Sequence, residues 1–246
     1  NLRVNSFDEL YESMDSFEEV YAAIVEQVLA LGARPQGVTY AVPGHPAIAE
    51  ATGPEVLRRA KEAGILVRVI DGLSFIEPVF SALGLDPFPR TALIDALELG
   101  VLHHPSFPPD MPALITQIYD QLSASQVKLT LNAVYPDEHE VTLIHAAGTE
   151  AQVIERMPLY QIDRSPDIGL LSALYVPPLQ DGSSLEAFQE VVARLRAPDG
   201  CPWDREQTHK SLRIYLLEET YEALAALDSE DASAMREEFG DLLLQI

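Results

Sequence analysis

The chain has 246 residues, 47% of them hydrophobic, enough to bury the core of one large domain or of two smaller ones. Its 39 acidic residues outnumber 16 basic ones, and the net charge of −23 argues against a broad nucleic-acid or anionic-membrane interface. Cys201 is the only cysteine and no apolar run reaches membrane-spanning length, which together predict a protein without internal disulfides in a reducing cytoplasm.

Most of the chain alternates between helical and strand-like stretches, which predicts an α/β layered domain. Hydrophobic periodicity, Gly/Pro punctuation and caps such as Asp15 or Ser16 set the boundaries. In chain order, the predicted elements are a helix at 16–31, a β-type run with a turn at 37–46, a helix at 51–64, a buried strand at 65–71, a helix at 74–84, strands at 91–97 and 113–118, a helix at 123–134, a strand and loop at 140–148, a helix at 150–156, and strands at 159–163 and 172–178.

The pattern changes after the Pro/Gly/Ser-rich stretch "PPLQDGSS" at Pro177–Ser184. Helical periodicity alone then covers 185–196, 210–227 and 232–246, with a Pro/Gly interruption at 197–202. We therefore predict one domain at 1–178 and a second at 185–246, joined by a linker at 179–184. The chain starts without Met and stops inside an apolar helical pattern, so we expect both domains to be truncated.

Five carboxylates lie on the last two predicted helices. Glu218 and Glu222 are spaced i,i+4, Glu219 and Glu222 i,i+3, and Glu238 and Asp241 again i,i+3, so each pair shares a helix face. If the two helices pack antiparallel, the acidic pairs face each other and form a site for a hard cation such as Mg²⁺. Acid pairs at this spacing are also common on solvated faces, and the spacing alone leaves both interpretations open.

The stretches "CPWDREQTHKSL" at Cys201–Leu212, "YLLEETYEALAAL" and "REEFGDLLLQI" resemble the opening half of a MazG-type nucleoside triphosphate pyrophosphohydrolase domain. The resemblance implies an all-helical fold that uses Mg²⁺ or Mn²⁺ to hydrolyse nucleoside triphosphates between the α and β phosphates. It implies Glu219, Glu222, Glu238 and Asp241 as metal ligands, and Glu218 and Glu219 as catalytic carboxylates, with Glu218 either a ligand or the base for water. The implied substrate-binding residues are Trp203, His209, Lys210 and Arg213.

These substrate-binding assignments have alternatives. Trp203 either stacks on a base or fills the core. His209 either approaches phosphate or anchors the loop at the helix start, and Lys210 and Arg213 either bind phosphate or are simply exposed.

The stretches "TYAVPGHPAIAE", "DGLSFIEPVFSALGLDP" and "SALYVPP" resemble the tetrapyrrole (corrin/porphyrin) methylase fold, in the version fused ahead of a MazG domain. The resemblance covers most of residues 5–178, lacks the family's first strand and Gly-rich cofactor loop, and implies S-adenosylmethionine as cofactor. A common Gly-Asp-Pro loop reads Gly44-His45-Pro46 here. The implied cofactor contacts, each of which has a purely structural alternative, are Pro43, Gly44, His45, Ser74, Tyr119, Ala147 and Gly148.

The sequence therefore predicts a divalent-metal-dependent triphosphate pyrophosphohydrolase joined to a methylase-like domain. Two alternatives stay open: methyl transfer from S-adenosylmethionine to an unidentified acceptor, and a non-catalytic dimerising scaffold. We expect a homodimer, because a truncated helical domain needs a partner chain to complete its core.

Overall fold

The computed structural model describes residues 4–180 and 182–246. Asn1–Arg3 and Asp181, which falls in the predicted linker, lie outside the described residues. The chain divides into two compact units, one of the described residues up to Phe88 with Ile144–Ile154, the other of Pro89–Leu143 with Glu155–Ile246. The boundary predicted at 179–184 stays a prediction. No described helix is long and apolar enough to cross a membrane.

The first unit is mainly helical. Ser16 caps the second helix by accepting a hydrogen bond from the Glu19 backbone amide at 3.2 Å. Val20 and Ile24 of that helix form a small core. Gly84 ends the fourth helix in the left-handed conformation. The helices are α1 Asp8–Ser13, α2 Phe17–Gly32, α3 Thr52–Glu62 and α4 Ile76–Leu83; the last three confirm the helices predicted in this region, and α1 was not predicted.

Two predicted β segments of this unit are wrong. The run at 37–46 and the segment at 65–71 belong to no strand among the described residues. Leu66 is 98% exposed and Ile70 is 73% exposed, so the second segment is not buried either. β-branched residues favour an extended backbone, but a strand also needs a hydrogen-bonded neighbour, and sequence composition does not supply one.

A five-stranded mixed sheet has the order β1-β2-β5-β3-β4. β1 pairs parallel to β2, and β2 pairs antiparallel to β5, with Leu114 opposite Tyr175. The strands are β1 Ala92–Asp95, β2 Ala113–Thr116, β3 Glu140–His145, β4 Val153–Pro158 and β5 Ser172–Val176. Every residue of β2 is buried, as expected for a central strand.

Helices α5 Ala96–Leu99 and α6 Gln121–Leu131 pack in the second unit, where Asp120 and Ser123 form a capping box. Leu131 and Leu174 are fully buried in its core. The predicted mixture of strands and helices is confirmed as an α/β fold.

Two further predictions in this region are wrong. The helix predicted at 150–156 is the edge strand β4, because pairing in the sheet overrides the helical propensity of its residues. The strand predicted at 159–163 is a 3-10 helix, Leu159–Arg164. Three residues per turn place Leu159 and Ile162 on one side, and both are fully buried.

The remaining elements are the helices α7 Leu185–Leu195, α8 Pro202–Glu206, α9 Arg213–Ser229 and α10 Ala232–Leu244, of which α7, α9 and α10 confirm the predicted helices. The short helix α8 was not predicted. α9 begins three residues later than predicted, because Thr208 and Ser211 hydrogen-bond to each other's backbone amides in a turn. The Ser184 hydroxyl accepts from the Ala187 amide and caps α7.

Candidate metal centre and cofactor loops

A short connection folds α9 back against α10. Glu230 takes the left-handed conformation with φ of 54°, and Asp231 accepts hydrogen bonds from the Ser233 and Ala234 amides at the start of α10. The small side chains of Ala223 and Ala226 on α9 are buried. These features position the two helices as a packed hairpin, in which acids from both can meet.

Three carboxylates converge in this hairpin. Glu219 and Glu222 of α9 and Glu238 of α10 each offer an oxygen, and these three oxygens lie within 4.8 Å of one another. Glu219 and Glu238 are half-buried and Glu222 is exposed. The site is therefore open to a ligand on one side and has a donor set made only of carboxylate oxygens.

The electrostatics of the cluster show that its members repel. Partial burial raises the pKa of Glu219, and repulsion by Asp241 and then by Glu222, Glu238 and Glu218 adds to it. Partial burial likewise raises the pKa of Glu238, with repulsion from Glu222 as the next cause. The short distances among Glu219, Glu222 and Glu238 show that acids of α9 and α10 face each other, as the sequence predicted for the case that the two helices pack antiparallel.

All five acids predicted from the sequence lie close enough to interact electrostatically, since the other four all raise the pKa of Glu219. Asp241 repels both Glu219 and Glu238, and the exposed Glu218 adds its charge from the neighbouring position on α9. Three of the five also meet the distance that a shared cation requires. Their roles as ligands or base stay predictions.

The predicted substrate-binding residues precede or begin α9. His209, Lys210 and Arg213 are exposed, and in the described part of the chain no ion pair joins them to the acidic cluster. Trp203 is 48% exposed and contacts Tyr215 edge-on, with ring centroids 5.5 Å apart. Sequence reasoning missed Tyr215, although its spacing of i,i+4 from Glu219 places it on the acidic face of α9.

Two loops of the first unit approach each other closely at glycines. Gly44 has φ of 76°, which favours glycine. A Cβ on Gly72 would lie only 2.5 Å from the Gly44 carbonyl oxygen, so any side chain there would collide with backbone. The predicted cofactor residues Pro43 and Gly44 are thereby placed against the loop that leads to Ser74.

Polar contacts organise the same neighbourhood. The buried Ser74 hydroxyl donates to Glu77 and, as the leading cause, lowers the pKa of that carboxyl. His45 Nδ1 accepts from the Ala47 amide at 3.1 Å, and its Nε2 lies 3.5 Å from Asp71 Oδ1. Side chains of the two loops therefore hold them in place: Ser74 through Glu77, and His45 through the Ala47 amide and Asp71.

The last predicted cofactor residues fall in two places. Ala147 and Gly148 follow β3, and a Cβ on Gly148 would lie 2.9 Å from Pro78 Cβ of α4, so six of the seven predicted contacts belong to the first unit. Tyr119 belongs to the second unit, where its hydroxyl donates to Gln117. The role of these residues as cofactor contacts stays a prediction.

Comparison with known proteins identifies both parts of the chain. The family model "Tetrapyrrole (Corrin/Porphyrin) Methylases" matches residues 3–163, and "MazG nucleotide pyrophosphohydrolase domain" matches residues 207–246. The uncharacterized protein YabN of Bacillus subtilis is 40% identical over 99% of this chain and 50% of its own length. The nucleoside triphosphate pyrophosphohydrolase/pyrophosphatase MazG of Thermotoga maritima is 48% identical over 65 residues, which is 26% of each protein.

The chain thus spans about half the length of YabN and about a quarter of the Thermotoga protein. Among solved structures, the uroporphyrin-III-C-methyltransferase of Thermus thermophilus superposes with a TM-score of 0.52 at 19% identity, over 69% of this chain and 74% of that one. This likeness shows the fold alone. Both family resemblances seen in the sequence are confirmed: the chain belongs to the tetrapyrrole (corrin/porphyrin) methylase family and carries a MazG nucleotide pyrophosphohydrolase domain after its methylase domain.

Proposed function

We propose that the protein hydrolyses nucleoside triphosphates to a nucleoside monophosphate and pyrophosphate, with a divalent metal held by Glu219, Glu222, Glu238 and Asp241. The observation that carries the proposal is the convergence of carboxylate oxygens from α9 and α10 within 4.8 Å. The match of residues 207–246 to the MazG nucleotide pyrophosphohydrolase domain supports the reaction class.

The donor set fits Mg²⁺ or Mn²⁺. Hard cations prefer oxygen ligands and commonly bridge a few carboxylates to substrate phosphates. The pKa of Glu219 and that of Glu238 are raised, so their charged forms are disfavoured until a cation offsets the repulsion. When bound, such a metal neutralises phosphate charge and lowers the pKa of a coordinated water.

The remaining polar residues supply the other roles. Glu218 is exposed beside Glu219 and accepts the proton of the attacking water. His209, Lys210 and Arg213 are exposed just before and at the start of α9, where they offer donors to the phosphate oxygens. Without these cations the net charge of −23 would repel a polyanionic substrate.

A pyrophosphate-release assay tests the proposal. We expect release that depends on Mg²⁺ or Mn²⁺ and is abolished by chelation, by Glu222→Gln and by Asp241→Asn. Glu190→Gln, which removes one exposed negative charge of α7, is the matched control and should leave release unchanged. Full activity after chelation, or in the Glu222→Gln protein, would refute the proposed site.

A second candidate function is supported by the cofactor loops. We propose that the methylase domain binds S-adenosylmethionine, because residues 3–163 match the tetrapyrrole methylase family and the Gly44 and Gly72 loops approach each other at backbone atoms. Methyl transfer depends mainly on placing donor and acceptor together, so no nucleophile is required of the chain. Titration calorimetry with S-adenosylmethionine tests this proposal. Saturable binding that Gly72→Ala weakens would support it, and the absence of binding to a correctly folded protein would contradict it.

We also propose a homodimer. Apolar side chains of α9 and α10 remain exposed in the single chain, including Ile214 at 68% and Leu217 at 57%. Exposed clusters of this kind commonly mark protein interfaces. Light scattering should give twice the mass of the chain. A monomer that also lacks metal-dependent stabilisation would contradict both the dimer and the non-catalytic scaffold alternative.

A further inference from the structure

The Pro/Gly/Ser-rich connection between the sheet and α7 is bonded to the second unit along its length. We call the described residues of this connection, within 177–184, the strap. The Pro177 carbonyl accepts a hydrogen bond from His139 Nε2 at 2.9 Å, and the Leu179 amide donates to the Pro109 carbonyl at 2.7 Å. The Leu179 side chain also packs against the buried core of the second unit. The first part of the strap is therefore docked.

The strap ends at a buried polar pair. The Ser184 hydroxyl donates to Asp110 Oδ2 at 2.8 Å, and the two residues are only 7% and 6% exposed. The same hydroxyl accepts from the Ala187 amide and so caps α7. One buried side chain thus both starts α7 and joins it to the loop before β2. Breaking this bond would leave a buried carboxylate short of a donor, which is costly.

The bonds that hold the strap are few and directional. The buried Tyr135 supports two of them, because its hydroxyl donates to the Pro109 carbonyl at 3.4 Å and its ring contacts the His139 ring with centroids 4.9 Å apart. A cavity of about 380 Å³ lies between the loop 104–109 and the first residues of α7. A cavity contributes no packing contacts, so the docking of α7 depends here on hydrogen bonds.

The far end of α7 is closely tied to the next helix. The Cys201 amide donates to the Leu195 carbonyl at 2.9 Å, just before α8. A Cβ on Gly200 would lie 2.3 Å from the Arg194 carbonyl oxygen, so the turn between the two helices is tight. A displacement of α7 therefore carries α8, and Trp203 within it, along.

We propose that the strap is a rigid coupler that fixes how the helical segment leaves the methylase sheet and that can be released at the bond between Ser184 and Asp110. Connections rich in Gly and Ser commonly act as flexible tethers. This one is bonded to the second unit at both ends, so a change in the sheet that moves Asp110 reaches α7 directly. The coupling does not depend on either of the proposed activities.

Hydrogen exchange measured by mass spectrometry on the whole chain tests the strap. We expect its amides and those of the first turn of α7 to exchange slowly in the wild type. Ser184→Asp keeps a residue that caps helices but sets its carboxylate against that of Asp110, so it should open the strap. Exchange across the strap should then rise about 10- to 100-fold, as expected for loss of a hydrogen bond to a charged group, while β2 stays protected.

Two further variants separate release of the strap from damage to the fold. Ser183→Asp adds the same charge at the preceding, exposed position and should leave exchange unchanged. Combining Ser184→Asp with Asp110→Asn should slow exchange again, because the amide group can donate to the new carboxylate. Fast exchange of the wild-type strap, an equal rise in Ser183→Asp or in β2, or no recovery in the double variant would overturn the proposal.

Time-resolved fluorescence anisotropy tests the coupling, because Trp203 is the only tryptophan of the chain. In the wild type we expect its anisotropy to decay mainly with the slow tumbling of the whole molecule. Ser184→Asp should add a faster component, and Ser183→Asp should not. The same decay in the wild type and in Ser184→Asp would show that α8 does not depend on the strap, which would contradict the coupler.

Discussion

Neutralising one acid of the cluster should stabilise the metal-free protein. Glu219→Gln keeps the side-chain volume but removes the repulsion between Glu219 and its neighbouring carboxylates, whose oxygens lie within 4.8 Å. Two unit charges about 5 Å apart repel by about 1 kcal/mol in water. Because the site is partly exposed and salt screens it, we expect the free energy of unfolding to rise by about 0.5–1 kcal/mol.

The divalent cation should reverse this order of stability. A ligand present at about 100 times its Kd stabilises the folded state by about 2.7 kcal/mol, provided that it does not bind the unfolded chain. Mg²⁺ should therefore raise the Tm of the wild-type protein more than that of Glu219→Gln. The wild type is then the less stable of the two in a chelator and the more stable in Mg²⁺.

Thermal unfolding monitored by circular dichroism measures both effects. Glu190→Gln changes the net charge by the same amount at an exposed position of α7, and it should retain the wild-type response to Mg²⁺. Two results would refute the reasoning: a lower Tm of Glu219→Gln in chelator, which would mean that Glu219 makes favourable structural contacts, or equal stabilisation of both proteins by Mg²⁺.

Three other predictions concern pH, backbone packing and a buried cap. The pKa of Glu219 is higher in the folded than in the unfolded chain, so the folded state keeps this proton to higher pH. The stability of the metal-free protein should therefore fall as pH rises from 4.5, the ordinary pKa of the group, through the raised pKa of the folded state. Urea denaturation at a series of pH values should show a smaller fall for Glu219→Gln. Gly72→Ala places a Cβ against the Gly44 carbonyl and should cost about 1–3 kcal/mol in chemical denaturation, and an unchanged stability would show that the loops separate at no cost. Ser184→Ala removes the cap of α7 and the 2.8 Å hydrogen bond to the buried Asp110 carboxylate, so it should cost about 1–3 kcal/mol, while Ser184→Thr, which keeps the hydroxyl, should recover most of the loss.

Local signals predicted the helical part of the chain well. Residues that cap helices, such as Ser16, and glycines that end them, such as Gly84, act within a few residues of the element that they delimit. The sequence also indicated that the acidic pairs could lie close together, because the spacing within each helix and a short connection determine which faces can pack. The sequence therefore predicted the two helices of the candidate metal centre and showed that their acidic pairs would face each other if the helices packed antiparallel.

Non-local effects set the limit of these predictions. The apolar segment 65–71 has the composition of a buried strand, yet pairing depends on a neighbour that lies elsewhere in the chain. Residues 150–156 favour a helix locally but pair at the sheet edge as part of β4. The contact between Trp203 and Tyr215 likewise depends on how α8 and α9 pack together.

The most direct test of the proposed centre is phosphorus NMR of the products formed from ATP. We predict AMP and pyrophosphate in the presence of Mg²⁺, no products in a chelator, and none from the Glu222→Gln protein. Formation of ADP and orthophosphate, or of pyrophosphate without a divalent cation, would contradict the proposal that the carboxylates of α9 and α10 hold the metal for cleavage between the α and β phosphates.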